Sequence, residues 1–165
     1  MRFTPAALAL SLLVAVSASV GHGATHEPDP RAAALVAQGR GAADAGDLQA
    51  AIDAYEAALV IDPAFTGVYL DLAGAARQQG LQGKAIRYYR EALEREPGNL
   101  AAISGEGAAL VEKGAVAKAE RNLAQLQSLC GGGCAEAERL ASAIAQGPPV
   151  QTAEAALPDT GVAQN

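Results

Sequence analysis

Two cysteines near the carboxyl end are the residues of this chain best placed to do chemistry. Cys130 and Cys134 flank Gly131-Gly132-Gly133, and the sequence contains no other cysteine. Glycine tolerates positive φ, so the chain can reverse there and bring the two Cα atoms within disulfide reach. A redox-active pair usually has two intervening residues and a thioredoxin-like fold, and a zinc site needs about four ligands. The spacing therefore predicts a structural disulfide, with a redox role as the alternative.

His26 offers a second chemistry that depends on processing. If a leader is removed after Gly23, the mature chain begins Ala24-Thr25-His26. A free amine, two amide nitrogens and the imidazole can then surround Cu(II) or Ni(II) in the square plane that suits these ions. Without that cleavage His26 is a polar residue of the leader. No other metal site and no cofactor is expected.

The acidic residues do not suggest a catalytic set. Glu106 and Glu112 fall in a helical segment and are interpreted as solvated acids on a helix face. The sequence shows no nucleophile elbow, phosphate loop, metal-binding histidine pair or plausible triad. We therefore expect a protein that is not an enzyme.

The charge balance argues against nucleic acid as a partner. The net charge is −6, and the sequence shows neither a basic patch nor an aromatic platform. Arg87, Arg90 and Arg95 do cluster, but Glu91 and Glu94 lie four residues from them. We interpret this cluster as an exposed helix face with i,i+4 ion pairs.

A step of 34 residues organises the segment that must position these side chains. The glycines Gly46, Gly80 and Gly114 follow this step. The same step separates the members of four other sets: Pro63 and Pro97; Ala51, Ala85 and Ala119; Tyr55 and Tyr89; and Ala58 and Ala92. A period of this length is typical of a solenoid of stacked helical units. A solenoid presents an extended surface, so binding is favoured over catalysis.

Local signals place two helices in each unit. Asp47 is a cap for a helix that starts at Leu48, because its side chain can accept a backbone N–H of the first turn. Ile52, Tyr55 and Leu59 then share one face. Asp62-Pro63 ends this helix, since the residue before proline avoids the α region. The preceding helix is expected from about 32 to 45, with Gly46 after it.

The pattern resembles the tetratricopeptide repeat, whose motif combines small residues, an aromatic residue and a closing proline. Unit 32–65 carries Gly39, Gly46, Ala51, Tyr55, Ala58 and Pro63 at matching places; unit 66–99 carries Leu72, Ala73, Gly80, Ala85, Tyr89, Ala92 and Pro97; unit 100–133 carries Gly107, Gly114 and Ala119. The resemblance implies an all-α, right-handed solenoid of three helix-turn-helix pairs.

The third unit departs from the motif at Leu123, Leu126 and Gly131. Terminal repeats are usually atypical, so this departure marks the end of the stack. In the segment 134–146 an apolar stripe follows, formed by Ala137, Leu140, Ala141 and Ile144. We predict a capping helix there.

Both ends of the chain are predicted to lie outside the repeat domain. Residues 1–23 combine a basic start, an apolar run and small residues, which is typical of a secretory signal peptide. Residues 24–31 are predicted as a flexible leader and 147–165 as a disordered tail. We expect a periplasmic or secreted protein without a membrane span after cleavage; an uncleaved signal that anchors it in the inner membrane is the alternative.

The resemblance implies that the first helix of each pair lines a concave groove for peptides or partner helices. The corresponding residues are Val36, Arg40, Asp44, Leu70, Asp71, Gly74, Arg77, Gln78, Ser104, Ala108, Val111 and Glu112. The lysines and asparagines with which some relatives hold a terminal carboxylate are absent. Arg40 and Arg77 either grip a ligand carboxylate or pair with Asp44 and Asp71.

The sequence therefore predicts a non-enzymatic interaction module or adaptor that binds another protein or peptide in the bacterial periplasm. The alternative is a metal or redox accessory protein that uses the Ala24-Thr25-His26 terminus or the pair Cys130 and Cys134.

Overall fold

The computed structural model describes residues 26–131 and 133–149. These residues form seven α-helices and no strand, as the repeat pattern predicts. The helices are α1 (Pro30–Asp44), α2 (Leu48–Ile61), α3 (Gly67–Gln78), α4 (Gln82–Arg95), α5 (Leu100–Glu112), α6 (Val116–Cys130) and α7 (Ala135–Gln146). We call α1, α3, α5 and α7 the A helices and the other three the B helices.

Short polar and glycine signals set the helix boundaries. Asp29, Asp47 and Asn99 each accept a hydrogen bond from a backbone N–H in the first turn of the following helix. These bonds satisfy donors that a helix start leaves unpaired. Gly46 and Gly80 lie between the helices of a pair at φ of 83° and 74°, a region that other residues rarely adopt. The predicted cap at position 47 is therefore confirmed.

Repeating alanines and tyrosines form the contacts inside the stack. Ala51 and Ala85 are 0% exposed, so the two helices of each pair approach closely. The ring of Tyr55 is buried against Gly39, where an added Cβ would lie 2.5 Å from the ring. The ring of Tyr55 thus packs directly on the backbone of Gly39, where there is no side chain to separate them. This contact explains why the repeat combines a glycine in its first helix with an aromatic residue in its second.

Helix α7 continues the repeat register. It begins and ends 68 residues after α3, which is twice the 34-residue step. It packs against α5 and α6. Leu140 is 1% exposed and lies over Gly107 of α5. The predicted capping helix therefore occupies the place of the first helix of a fourth repeat.

The segment before α1 differs from the flexible leader predicted for 24–31. Helix α1 starts at Pro30, two residues before the predicted start, because Asp29 caps it and proline suits a first helical position. His26 Nε2 lies 2.7 Å from Asp62 Oδ2, and the backbone N–H of Asp29 donates to the same oxygen. The buried carboxylate of Asp62 thus holds residues 26–29 against the end of α2.

The predicted signal peptide 1–23 and most of the predicted tail lie outside the described residues. The structure describes only 147–149 of that tail. Within the described ranges, no helix combines the length and apolar character that a membrane span requires.

Candidate functional site: the A-helix groove

The A helices lie side by side and line two clefts. Helix α1 contacts α3, α3 contacts α5, and α5 contacts α7. One cleft lies between α1 and α3, and the other lies between α3, α5 and α7. We call the residues that line these two clefts the groove.

The amino-terminal cleft has a volume of about 290 Å³. Its lining residues are Arg40, Ala43, Asp44, Tyr55, Leu70, Asp71, Gly74, Ala75 and Gln78. Arg40 donates two parallel hydrogen bonds to Asp71, from Nε at 3.2 Å and from Nη2 at 2.8 Å. Asp71 raises the pKa of Arg40, so this guanidinium stays charged and engaged.

The carboxyl-terminal cleft has a volume of about 480 Å³. Its lining residues are Arg77, Ala108, Val111, Glu112, Ala143, Gln146, Gly147, Pro148 and Pro149. Arg77 donates from Nε and Nη2 to the two oxygens of Glu112. Glu112 is the main cause of a raised pKa at Arg77, and burial opposes it. A further cleft of about 380 Å³ adjoins it, because Arg77, Ala108 and Ala143 line both.

Each of these ion pairs joins consecutive A helices. The expectation that the arginines pair with Asp44 and Asp71 is therefore right for Arg40 and wrong for Arg77, whose partner is Glu112. A ligand carboxylate would have to displace an aspartate or glutamate that already fills the guanidinium fork. Apart from Asp44, the remaining residues that line the two clefts carry no charge, and several of them are small. At Gly74, for example, an added Cβ would meet no atom within 4 Å.

The structure brings most of the predicted groove residues together. Arg40, Asp44, Leu70, Asp71, Gly74 and Gln78 line the first cleft, and Arg77, Ala108, Val111 and Glu112 line the second. Ser104 lines the adjoining cleft, but its hydroxyl donates to the backbone oxygen of Glu136 in α7. Val36 lines neither groove cleft, because it is buried in the core of the first pairs.

Sequence reasoning missed the contribution of α7. Ala143 and Gln146 form one wall of the second cleft, and residues 147–149 continue it. The predicted capping role accounts for the position of α7 at the end of the stack but not for its contribution to the groove. The available signal was its register, since it begins at twice the repeat step after α3.

The interpretation of Glu106 as a solvated acid is wrong, whereas Glu112 is partly exposed and paired with Arg77. Glu106 is 8% exposed and accepts hydrogen bonds from Arg90 Nε at 2.7 Å and Asn122 Nδ2 at 3.1 Å. A buried carboxylate requires such partners, so Glu106 ties α5 to α4 and α6. Arg90 is therefore not in an i,i+4 pair, whereas Arg95 does pair with Glu91 at that spacing.

The two candidate chemical sites are both engaged in contacts within the chain. Cys130 and Cys134 are joined by a disulfide bond. His26 bonds to Asp62, and Ala24 and Thr25 lie outside the described residues. Within 26–131 and 133–149, no group of three or more His, Cys, Asp or Glu side chains is arranged to hold a metal ion.

Solved structures share this fold. The first TPR domain of Spaghetti (RPAP3), bound to the HSP90 peptide SRMEEVD, has a TM-score of 0.65 at 21% identity, over 73% of this chain and 97% of that chain. The Sgt2 TPR domain from Aspergillus fumigatus has a TM-score of 0.66 at 25% identity, over 72% and 80%. The TPR2B domain of yeast Sti1, in a complex with pHsp70, has a TM-score of 0.64 at 20% identity, over 72% and 98%.

Sequence comparison gives a local match. No curated protein matches the chain, but residues 66–99 match the family described as tetratricopeptide repeat. This segment is the unit predicted from Pro63 and Pro97 and contains α3 and α4. The described part of the chain is therefore an all-α solenoid of helix pairs with the fold of tetratricopeptide repeat domains, and its second pair matches the tetratricopeptide repeat by sequence.

Proposed function

We propose that this protein is a non-enzymatic interaction module that binds a segment of a partner protein in the groove. The observation that carries the proposal is the pair of clefts along the A helices, with small residues at Gly74 and Ala108 between fixed ion pairs. Two structures of the same fold are complexes, that of Spaghetti with an HSP90 peptide and that of Sti1 with pHsp70. They support peptide binding here by analogy of fold.

The ion pairs define the kind of ligand that the groove favours. Because Arg40 and Arg77 already hold carboxylates in bidentate contacts, a ligand gains little from a terminal carboxylate. Small residues leave room for a bulky apolar side chain, and Gln78 at the rim offers amide hydrogen bonds. The preferred partner is therefore a helical or extended segment with a large apolar anchor.

Filling the groove tests this proposal. Gly74→Phe adds a ring to the lining of the first cleft, at a position where a Cβ meets no atom within 4 Å. The ring replaces the anchor of the ligand, which typically contributes about 2 kcal/mol or more, so we expect about a 30-fold loss of captured partner. The measurement is quantitative mass spectrometry of proteins captured from a periplasmic extract.

Gly41→Phe is the matched control. Gly41 is also a helical glycine with open space around its Cβ, but it lines neither cleft of the groove. The control variant should capture the same partner as the wild type. Equal capture by the variant at position 74 would place the binding site outside the groove.

We further propose that the protein works in the periplasm after removal of residues 1–23. The composition of that segment and the disulfide at Cys130 and Cys134 both support an oxidising compartment. We expect the intact mass of the protein from a periplasmic fraction to lack the signal segment. It should also be lower by the mass of two hydrogens than after reduction. Recovery of the full-length chain with the membrane would instead support the anchored form.

A further inference from the structure

A second kind of cleft lies outside the groove and has a volume of about 390 Å³. It is formed by the start of α4, the end of α5 and the start of α6. Ile86, Leu110 and Ala115 give it an apolar lining, and Arg87, Lys113 and Lys118 surround them. It shares no lining residue with either groove cleft.

The charges around this cleft are unusual for an acidic protein. Arginines at six positions of the described chain form ion pairs: 31, 40, 77, 90, 95 and 139. Lys84, Arg87, Lys113, Lys118 and Arg121 form no ion pair with any described residue. Three of these five cations line the cleft, whereas no described Asp or Glu lines it. A chain of net charge −6 thus gathers, at one place, positive charges that form no ion pair with the described residues.

The backbone adds to this positive charge. The residues at the N-cap positions of α4 and α6, Leu81 and Ala115, make no side-chain capping bond, and neither helix has an acid in its first turn. Gly83 and Lys118 in these first turns both line the cleft. Free N–H groups and the helix dipole make such ends favourable for negative charge.

Lys113 lies close to the start of α4. A Cβ added at Gly83 would lie 3.8 Å from Lys113 Nζ. The ammonium group therefore reaches across from the end of α5, next to the first turn of α4. Arg90 also lines the cleft while its Nε holds Glu106. Cations from α4, from α6 and from the residue after α5 thus surround one apolar depression.

We propose that this cleft binds an acidic segment of a partner protein that inserts one apolar side chain. The apolar lining accepts that side chain, and the surrounding cations pair with carboxylates on either side of it. No aromatic side chain is among the described residues that line the cleft, so it lacks the stacking platform that single-stranded nucleic acid uses. This site is separate from the groove. It gives a role to Arg87, Lys113 and Lys118, which do not line the groove.

The test uses a fluorescein-labelled peptide EDGFEE, which offers one apolar side chain between acidic residues, and fluorescence anisotropy at low ionic strength. Lys113→Gln/Lys118→Gln should weaken binding about tenfold, because two charge pairs are lost. Gln38→Glu/Gln127→Glu makes the same change in net charge at exposed positions outside the cleft. This control should bind the peptide nearly as well as the wild type.

Two further measurements distinguish binding in this cleft from non-specific charge attraction and from binding in the groove. Gly83→Phe, which fills the cleft and keeps every charge, should abolish binding, and the peptide EDGGEE should bind at least about tenfold more weakly. Equal binding of the two peptides, or an equal loss in the charge control, overturns the proposal. So does a loss caused by Gly74→Phe but not by the lysine substitutions, an outcome that moves the peptide to the groove and leaves the proposed function intact.

Discussion

At the scale of single residues, Asp62 organises the amino-terminal end of the stack. Its Oδ2 accepts hydrogen bonds from His26 Nε2 and from the backbone N–H of Asp29, and its Oδ1 accepts one from the N–H of Ala64. The Asp29 N–H contributes most to a lowered pKa of Asp62, and His26 adds to it, whereas burial opposes both. The ionised carboxylate is therefore the form that the fold requires.

We predict that Asp62→Asn lowers the thermal stability near pH 7 and that this effect disappears in acid. A carboxyl group whose pKa is lowered by folding stabilises the protein above its unfolded pKa of about 3.9. That contribution is lost as the pH falls through the lowered folded-state pKa. The difference in melting temperature between variant and wild type should therefore shrink as the pH falls below about 4, and vanish only below the lowered folded-state pKa.

Asp53→Asn is the control, because Asp53 is exposed and bonds only to Gln49 within the described chain. Its melting temperature should follow that of the wild type at every pH. Repeating both measurements in a His26→Ala background tests the Asp62 carboxylate without its imidazole partner. A constant difference between Asp62→Asn and wild type from neutral to acidic pH would contradict the role of the charged carboxylate.

At the scale of helices, the contact between α5 and α7 depends on a glycine, because Gly107 has no side chain to keep the two helices apart. Gly107 lies under Leu140, and an added Cβ would be 2.5 Å from Leu140 Cδ2. Gly74 lies in the neighbouring A helix, where the same Cβ would meet open space. The two glycines are similar in sequence context, yet packing makes the outcome of the same substitution opposite.

We predict that Gly107→Ala destabilises the protein by about 1–2 kcal/mol. Overpacking a buried contact typically costs about 1–3 kcal/mol, and the better helix propensity of alanine recovers up to about 1 kcal/mol. Urea unfolding measures the change, and faster amide exchange in α7 should accompany it.

Gly74→Ala should instead stabilise the protein by about 0.5–1 kcal/mol, since only the propensity term remains. If both substitutions stabilise the fold equally, α7 does not pack on α5 through Leu140 as described.

At the scale of the whole molecule, most of the architecture could be predicted because it repeats. The recurrence of Gly46, Gly80 and Gly114 indicated the turns, and the register between them indicated the helix pairs. Tyr55 and Tyr89 are buried as the aromatic positions of the motif. Periodic signals predict contacts between equivalent positions, and these contacts make up the stack.

Features formed by non-equivalent positions were not predictable in this way. The burial of Glu106 could not be predicted, because its partners Arg90 and Asn122 lie 16 residues away in either direction and on other helices. The basic cleft was missed because Lys113 and Lys118 join Arg87 only after α4, α5 and α6 are packed. A helical pattern shows which face of a helix is polar, but not which charges from other helices meet it.

The ion pairs of the groove also have a mechanical consequence. Arg40 with Asp71 and Arg77 with Glu112 connect successive A helices. Bending the stack so that the groove opens stretches both ion pairs at once, whereas bending it closed compresses packed side chains. Because salt screens partly exposed charges, added salt softens the first motion far more than the second. We therefore expect the resistance of the stack to differ between opening and closing of the groove. Only the resistance to opening should depend strongly on ionic strength.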